Sequence, residues 1–83
     1  MPATRDIISM LENVLNDRGV PKNVKVCIEE SLGMLRGPSS GDAKSMKIAE
    51  AASILEEVSG DPNLSVHART VLWDVISRLE ILK

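Results

Sequence analysis

Two short proline-containing turns constrain what this chain can fold into. The first is Val20-Pro21-Lys22-Asn23 and the second is Asp61-Pro62-Asn63, and each follows directly after a glycine. Proline fixes its own φ angle and has no N–H to donate, so it is tolerated where a helix starts but interrupts a helix interior. Apolar residues at helical spacing lie on both sides of each turn. The turns therefore predict two helical hairpins.

Helical periodicity divides the chain into four segments. The first predicted helix runs from an N-cap at Thr4 to about Arg18, and the second opens at Pro21 and stops before Gly37-Pro38. A glycine- and serine-rich loop follows, after which Ser40 or Asp42 is expected to cap the third helix, which runs to about Ser59. The fourth helix is predicted to begin between Asp61 and Ser65 and to continue to the C-terminus.

Each predicted helix carries one apolar stripe, which we expect to face the core. Because aromatic residues make up 1% of the chain, that core has to be built from aliphatic side chains. The expected core positions are Ile7, Ile8, Leu11, Val14 and Leu15; Val24, Cys27, Ile28, Ser31, Met34 and Leu35; Ala43 or Met46, Ile48, Ala49, Ala52, Leu55 and Val58; and Ala68, Val71, Leu72, Val75, Ile76, Leu79 and Leu82.

The fold class predicted from these segments is all-α, a four-helix up-and-down bundle built from two helical hairpins in a single domain over residues 1–83. A shift of 44 residues carries Leu11 onto Leu55 and Ile28 onto Leu72. That shift leaves an internal duplication open as a hypothesis, and a period near 40 also allows a HEAT-like helix pair as the alternative.

Composition restricts the possible functions. Twelve acidic and ten basic residues give a net charge of −2, which argues against a nucleic-acid partner. We expect no membrane span, because no run of 18 apolar residues occurs. The single cysteine excludes an internal disulfide and a cysteine zinc site, and we expect neither a cofactor nor a metal. The N-terminal residues lack the apolar core of a signal peptide, so the expected location is cytoplasmic.

Several short strings resemble a known family. They are Leu15-Asn16-Asp17, Val20-Pro21-Lys22-Asn23-Val24-Lys25, Glu57-Val58-Ser59-Gly60-Asp61-Pro62-Asn63-Leu64 and His67-Ala68-Arg69-Thr70-Val71-Leu72-Trp73. Taken together they resemble a family of small archaeal proteins of uncharacterised function, over nearly the whole chain. The resemblance implies a four-helix, bromodomain-like bundle. It implies no catalytic residue, since that family has no assigned activity.

Three residues have side chains that often carry chemistry. His67 is the only histidine, and with Asp61 nearby it does not supply the three or four ligands that a metal site needs. It is either a general base or a helix-start histidine that hydrogen-bonds a turn, and the second interpretation is preferred. Cys27 lies on an apolar stripe and is expected to be buried and unreactive. Trp73 lies four residues after Arg69, so a cation–π contact between them is expected. Trp73 itself is either a half-buried edge of the core or an interface anchor.

An up-and-down bundle places its first and third connections at the same end. This end is expected to collect polar side chains whose role is either local turn chemistry or the binding of a partner. The candidate interaction end comprises Asp17, Arg18, Lys22, Asn23, Asp61, Asn63, His67, Arg69 and Trp73.

The sequence accordingly predicts a small non-enzymatic helical protein that binds another protein or itself. It contains no phosphate-binding loop, nucleophile elbow or facing carboxylate pair on which to base an enzyme. The alternative is an accessory protein for nucleic acids, with Lys22, Lys25, Lys44 and Lys47 as its basic patch.

Overall fold

The computed structural model describes residues 4–37 and 41–82. It contains four α-helices in this part of the chain: α1 over Thr4–Leu15, α2 over Lys22–Arg36, α3 over Gly41–Val58 and α4 over Val66–Leu82. The predicted all-α fold class is confirmed, with no strand among the described residues. Ser40, one of the two predicted caps of the third helix, lies outside the described residues.

The four helices pack as a closed ring. Helix α2 contacts α1 and α3, and α4 contacts α3 and α1. The contact between α1 and α4 closes the bundle, whereas an open HEAT-like stack would keep the first and last helices apart. Within the described part of the chain no helix qualifies as a membrane span, because none is long and apolar enough.

The core is aliphatic, as predicted, and α4 contributes the stripe expected of it. Ala68, Leu72, Val75 and Leu79 are fully buried on this helix, and the other predicted members, Val71, Ile76 and Leu82, are partly buried and pack against the core. Ser31 of α2 is buried as well, and its hydroxyl donates to the carbonyl oxygen of Cys27 at 3.1 Å. A buried hydroxyl without a partner would cost about 1–3 kcal/mol, so this bond makes Ser31 compatible with an apolar interior.

The predicted stripes of α2 and α3 are partly wrong. On α2, Leu32 is buried at 2% exposure although the stripe omits it, Cys27 is only partly buried, and Met34 and Leu35 are partly buried side chains that pack against the core. On α3, Ala51 is buried and Met46 is 66% exposed. In both helices several neighbouring residues are apolar, so the spacing fits more than one face, and packing against the adjacent helices selects between them.

Two helix limits also differ from the prediction. Helix α1 stops at Leu15 rather than near Arg18, because the amide of Asp17 turns back to the carbonyl oxygen of Val14 at 3.0 Å. Pro21 is the N-cap of α2 rather than its first helical residue, since its ψ of 154° is extended. Its carbonyl oxygen nevertheless accepts the first helical bond, from the amide of Lys25.

The two hairpin turns repeat each other with the 44-residue shift seen in the sequence. The Asp17 carboxylate accepts from the amide of Gly19 at 2.7 Å, and the Asp61 carboxylate accepts from the amide of Asn63 at 2.8 Å. In each turn an apolar residue is then buried at 5% exposure, Val20 in the first and Leu64 in the second. The duplication hypothesis thus extends from the apolar stripes to the hydrogen bonds of the turns.

Candidate functional site

The first and third turns meet at one end of the bundle, where they form what we call the clasp, comprising Gly19, Asn23, Asp61, Ser65 and Arg69. The amide of Ser65 donates to the carbonyl oxygen of Gly19 at 2.9 Å. A second link is a side-chain bond from Asn23 Nδ2 to Asp61 Oδ2 at 3.1 Å. These two hydrogen bonds hold the turns against each other, and this brings their polar residues together.

Asp61 is the centre of the clasp. One carboxylate oxygen accepts from the Asn63 amide and the other from Asn23, while the backbone carbonyl oxygen accepts from Arg69 Nη2 at 3.0 Å. The sequence predicts a cation–π contact between Arg69 and the indole of Trp73. In the structure the Arg69 guanidinium instead binds the turn, at the carbonyl oxygen of Asp61. Its Nε is buried and has no hydrogen-bond partner.

The rest of the predicted interaction end divides into two groups. Asp17 is used within its own turn, whereas Arg18, Lys22, Asn63 and His67 are exposed. His67 lies in the first turn of α4 and does not form the expected hydrogen bond to the turn within the described structure. Over residues 4–37 and 41–82, no three histidine, cysteine or acidic side chains are close enough to hold a metal ion.

Trp73 lies outside the clasp, on a surface that the sequence analysis does not predict. We call this surface the outer stripe of α4; it comprises Val66, Thr70, Trp73, Ser77 and Ile81. Three of these side chains are large, apolar and exposed: Val66 at 78%, Trp73 at 60% and Ile81 at 77%. Spacings of seven and eight residues place them on one side of the helix. That spacing is the sequence signal that would have revealed the stripe.

The small residues of the outer stripe add little polarity to it. The Thr70 hydroxyl donates back to the carbonyl oxygen of Val66 at 2.9 Å, which satisfies it within the helix. Beside Trp73 a shallow groove of about 400 Å³ runs between α3 and α4, lined by Glu56, Ser59, Trp73, Ile76 and Ser77. An aromatic ring, an apolar stripe and an adjoining groove are therefore all open to a partner.

The four lysines proposed as a basic patch are separated. Lys22 and Lys25 lie in the first turn of α2, next to the clasp. Lys44 and Lys47 line a cavity of about 190 Å³ together with Gly37, which follows the other end of α2. Helix α2 is about 22 Å long, so the structure does not bring these lysines together as one patch.

Cys27 is partly buried, where the sequence predicted full burial. Removal from water raises the pKa of its thiol, and the nearby carboxylates of Glu30 and Glu57 raise it further. The thiolate is the reactive form of cysteine, so this environment works against reactivity although the side chain is not sealed.

We expect a thiol reagent to modify Cys27 at least about tenfold more slowly in native buffer than in denaturant near neutral pH, because little thiolate is present. The rate should still be rising with pH beyond about 8.5, where an ordinary thiol is half ionised. Stopped-flow absorbance measures it without ambiguity, because the chain has one cysteine. A native rate that levels off below that pH would contradict the raised pKa.

Comparison with known proteins identifies the family that the sequence motifs resemble. The model of the uncharacterised protein family UPF0147 matches residues 3–82. This chain belongs to the UPF0147 family. An UPF0147 protein from Aeropyrum pernix is 42% identical over 76 residues, which cover 92% of this chain and 81% of that protein. One from Methanothermobacter thermautotrophicus is 34% identical over 77 residues, covering 93% of this chain and 74% of that protein.

Two solved structures share the UPF0147 fold with this chain. The crystal structure of an UPF0147 protein from Thermoplasma acidophilum is 32% identical, with a TM-score of 0.83 over 95% of this chain and 91% of that one. A protein of unknown function called MMP1188 is also 32% identical, with a TM-score of 0.85 over 100% of this chain and 94% of that one. The expected resemblance to a small archaeal helical family is thereby confirmed, and with it the fold.

Proposed function

We propose that this UPF0147 protein is a small, non-enzymatic, cytoplasmic interaction module that binds protein through the outer stripe of α4. The observation that carries the proposal is the position of Trp73. It is the only aromatic residue of the chain, and 60% of it is exposed. Tryptophan is enriched among the residues that dominate binding energy at interfaces. A helix that leaves it in water together with two other large apolar side chains has the composition of a docking surface.

The first hairpin serves as an internal comparison for this surface. With the 44-residue shift, Val66 corresponds to Lys22 and Trp73 corresponds to Glu29, both of which are exposed and charged. The hairpin therefore folds with charged residues at these positions. The apolar character of the outer stripe is not needed to form the hairpin, which supports a role in binding.

The contacts within the clasp also support a binding site on α4, because they give the polar residues of the clasp a structural role. Asn23 and Arg69 both donate to Asp61, and the Asp61 carboxylate also accepts from the turn backbone, so these residues stabilise the end of the bundle. Groups held in this way are poorly placed to move protons or bind a partner. The nucleic-acid alternative has less support than protein binding, since its four lysines lie in two separated pairs.

The test is affinity capture from a lysate of the source organism with the wild-type chain and with Trp73→Ser. We expect Trp73→Ser to capture at least about tenfold less partner than the wild type, because a central aromatic anchor typically contributes 2 kcal/mol or more. Its melting temperature should change little, since the side chain is mostly exposed. Quantitative mass spectrometry of the eluates and circular dichroism measure the two effects.

Met46→Ser is the matched control for this experiment. Met46 is exposed to a similar degree, at 66%, but lies on α3, so the substitution should leave capture intact. Arg69 is not a suitable target, because its loss would disturb the clasp. Equal capture by the wild type, Trp73→Ser and Met46→Ser, together with self-association that Trp73→Ser leaves unchanged, would contradict the proposed function.

A further inference from the structure

We infer that the occupant of the outer stripe is a second copy of this chain, with the α4 helices of two copies packed antiparallel around a two-fold axis. This inference rests on the proposed function, because it assigns a partner to the same surface. In a two-fold dimer each copy uses the same residues, so the surface has to be complementary to itself. The size and the charge of the side chains on α4 meet that requirement.

Size complementarity comes from Trp73 and Ser77. In an antiparallel pair, residues whose numbers add to a constant lie opposite each other. If position 75 is the midpoint, Trp73 of each copy lies opposite Ser77 of the other. The large indole of each copy then packs over the small Ser77 side chain of the other copy, and the two-fold axis makes the two contacts equivalent. Both residues already line the groove between α3 and α4, so each indole also has space beside that small residue.

Charge complementarity comes from Asp74 and Arg78, which flank the outer stripe on the side away from α3. Within one copy, Arg78 Nε donates to Asp74 Oδ1 at 3.2 Å, and both side chains are substantially exposed, at 39% and 52%. A guanidinium has five N–H donors, so this bond uses only a small part of it. With the same midpoint, Arg78 of each copy lies within about one helical turn of Asp74 of the other. The two pairs form one neutral network across the axis.

The small area of the outer stripe limits how tightly two copies can associate. Helix α4 has 17 residues and is about 25 Å long. One face of a single helix is smaller than the roughly 800 Å² per partner that stable complexes bury. We therefore expect a weak dimer, largely monomeric at about 10 µM and substantially associated at about 1 mM.

Sedimentation velocity across that concentration range measures the association. The mass should rise from the 9.0 kDa of one chain towards twice that value. Emission from Trp73, the only tryptophan, should shift to shorter wavelength over the same range. Trp73→Ser should weaken the association at least about tenfold, while Met46→Ser should leave it unchanged. A monomer at 1 mM with constant Trp73 emission would overturn the inference.

Charge variants test the two-fold arrangement itself. Asp74→Arg places four arginines around the axis, and Arg78→Asp places four aspartates there, so either variant alone should associate at least about tenfold more weakly than the wild type. An equal mixture should recover heterodimers close to wild-type strength, because opposite charges then meet. Circular dichroism checks that each variant is folded. A dimer unaffected by Trp73→Ser and by both charge variants uses another surface and refutes the inference.

The outcomes separate this inference from the proposed function. If the chain remains monomeric but loses a captured partner on Trp73→Ser, the outer stripe binds a different protein, and only the second-copy assignment fails. If a dimer forms with the expected response to the charge variants but no partner depends on Trp73, self-association is the whole of the interaction at this surface.

Discussion

Replacing Leu72 with alanine should lower the free energy of unfolding by about 2–5 kcal/mol, the usual cost of removing a leucine from a packed core. Leu72 is fully buried, and its helix packs against both α1 and α3. A cavity should remain, because the structure around a truncated core side chain relaxes only partially. For a domain of this size each kcal/mol lowers the melting temperature by about 4–8 °C, which makes thermal denaturation a sensitive measurement.

Ile81→Ala is the control on the same helix. Ile81 is 77% exposed, so its truncation should change stability by no more than about 0.5 kcal/mol at concentrations where the chain is monomeric. The comparison separates burial from helix propensity, since both substitutions introduce the same residue into α4. Similar losses for the two variants would mean that α4 is packed through a different face.

The helical architecture is predictable from the sequence because the patterns that determine it, the turn residues and the spacing of apolar residues, are local. The two turns follow from proline and glycine chemistry, and the buried face of α4 follows from Ala68, Leu72, Val75 and Leu79, which keep helical spacing with charged residues between them. In α2 the same spacing predicts Leu35 rather than Leu32 as a buried residue. Both fit an apolar stripe, and only the positions of the neighbouring helices decide between them.

The candidate site was predictable in outline but not in its contacts. An up-and-down path is enough to bring the first and third turns to one end. It does not determine that Arg69 binds the carbonyl oxygen of Asp61, because the sequence offers Trp73 as an equally near partner. Its position in the chain places Trp73 with the candidate interaction end, and the structure shows it on an exposed face of α4. Solvent exposure of a single side chain depends on the packing of whole helices.

Gly19→Ala should also be strongly destabilising, because Ser65 of the other turn lies directly against this residue. A Cβ atom on Gly19 would lie 2.4 Å from Ser65 Cβ and 2.8 Å from Ser65 Oγ. Neither atom can move away easily, since the Ser65 amide binds Gly19 and its hydroxyl caps α4 by accepting from Ala68. Overpacking of this kind costs about 1–3 kcal/mol, and loss of the cap would add about 1 kcal/mol.

Two further variants isolate the cause of that loss. Gly33→Ala makes the same substitution inside α2, where a Cβ would meet no atom within 4 Å, so better helix propensity should stabilise the chain by about 0.5–1 kcal/mol. Ser65→Gly in the Gly19→Ala background removes the obstructing side chain and should recover much of the lost stability, since glycine is only slightly worse than serine as an N-cap. Urea denaturation of the four proteins measures all three effects. If Ser65→Gly lowers the stability of Gly19→Ala still further, the contact between Gly19 and Ser65 is not what requires glycine in the first turn.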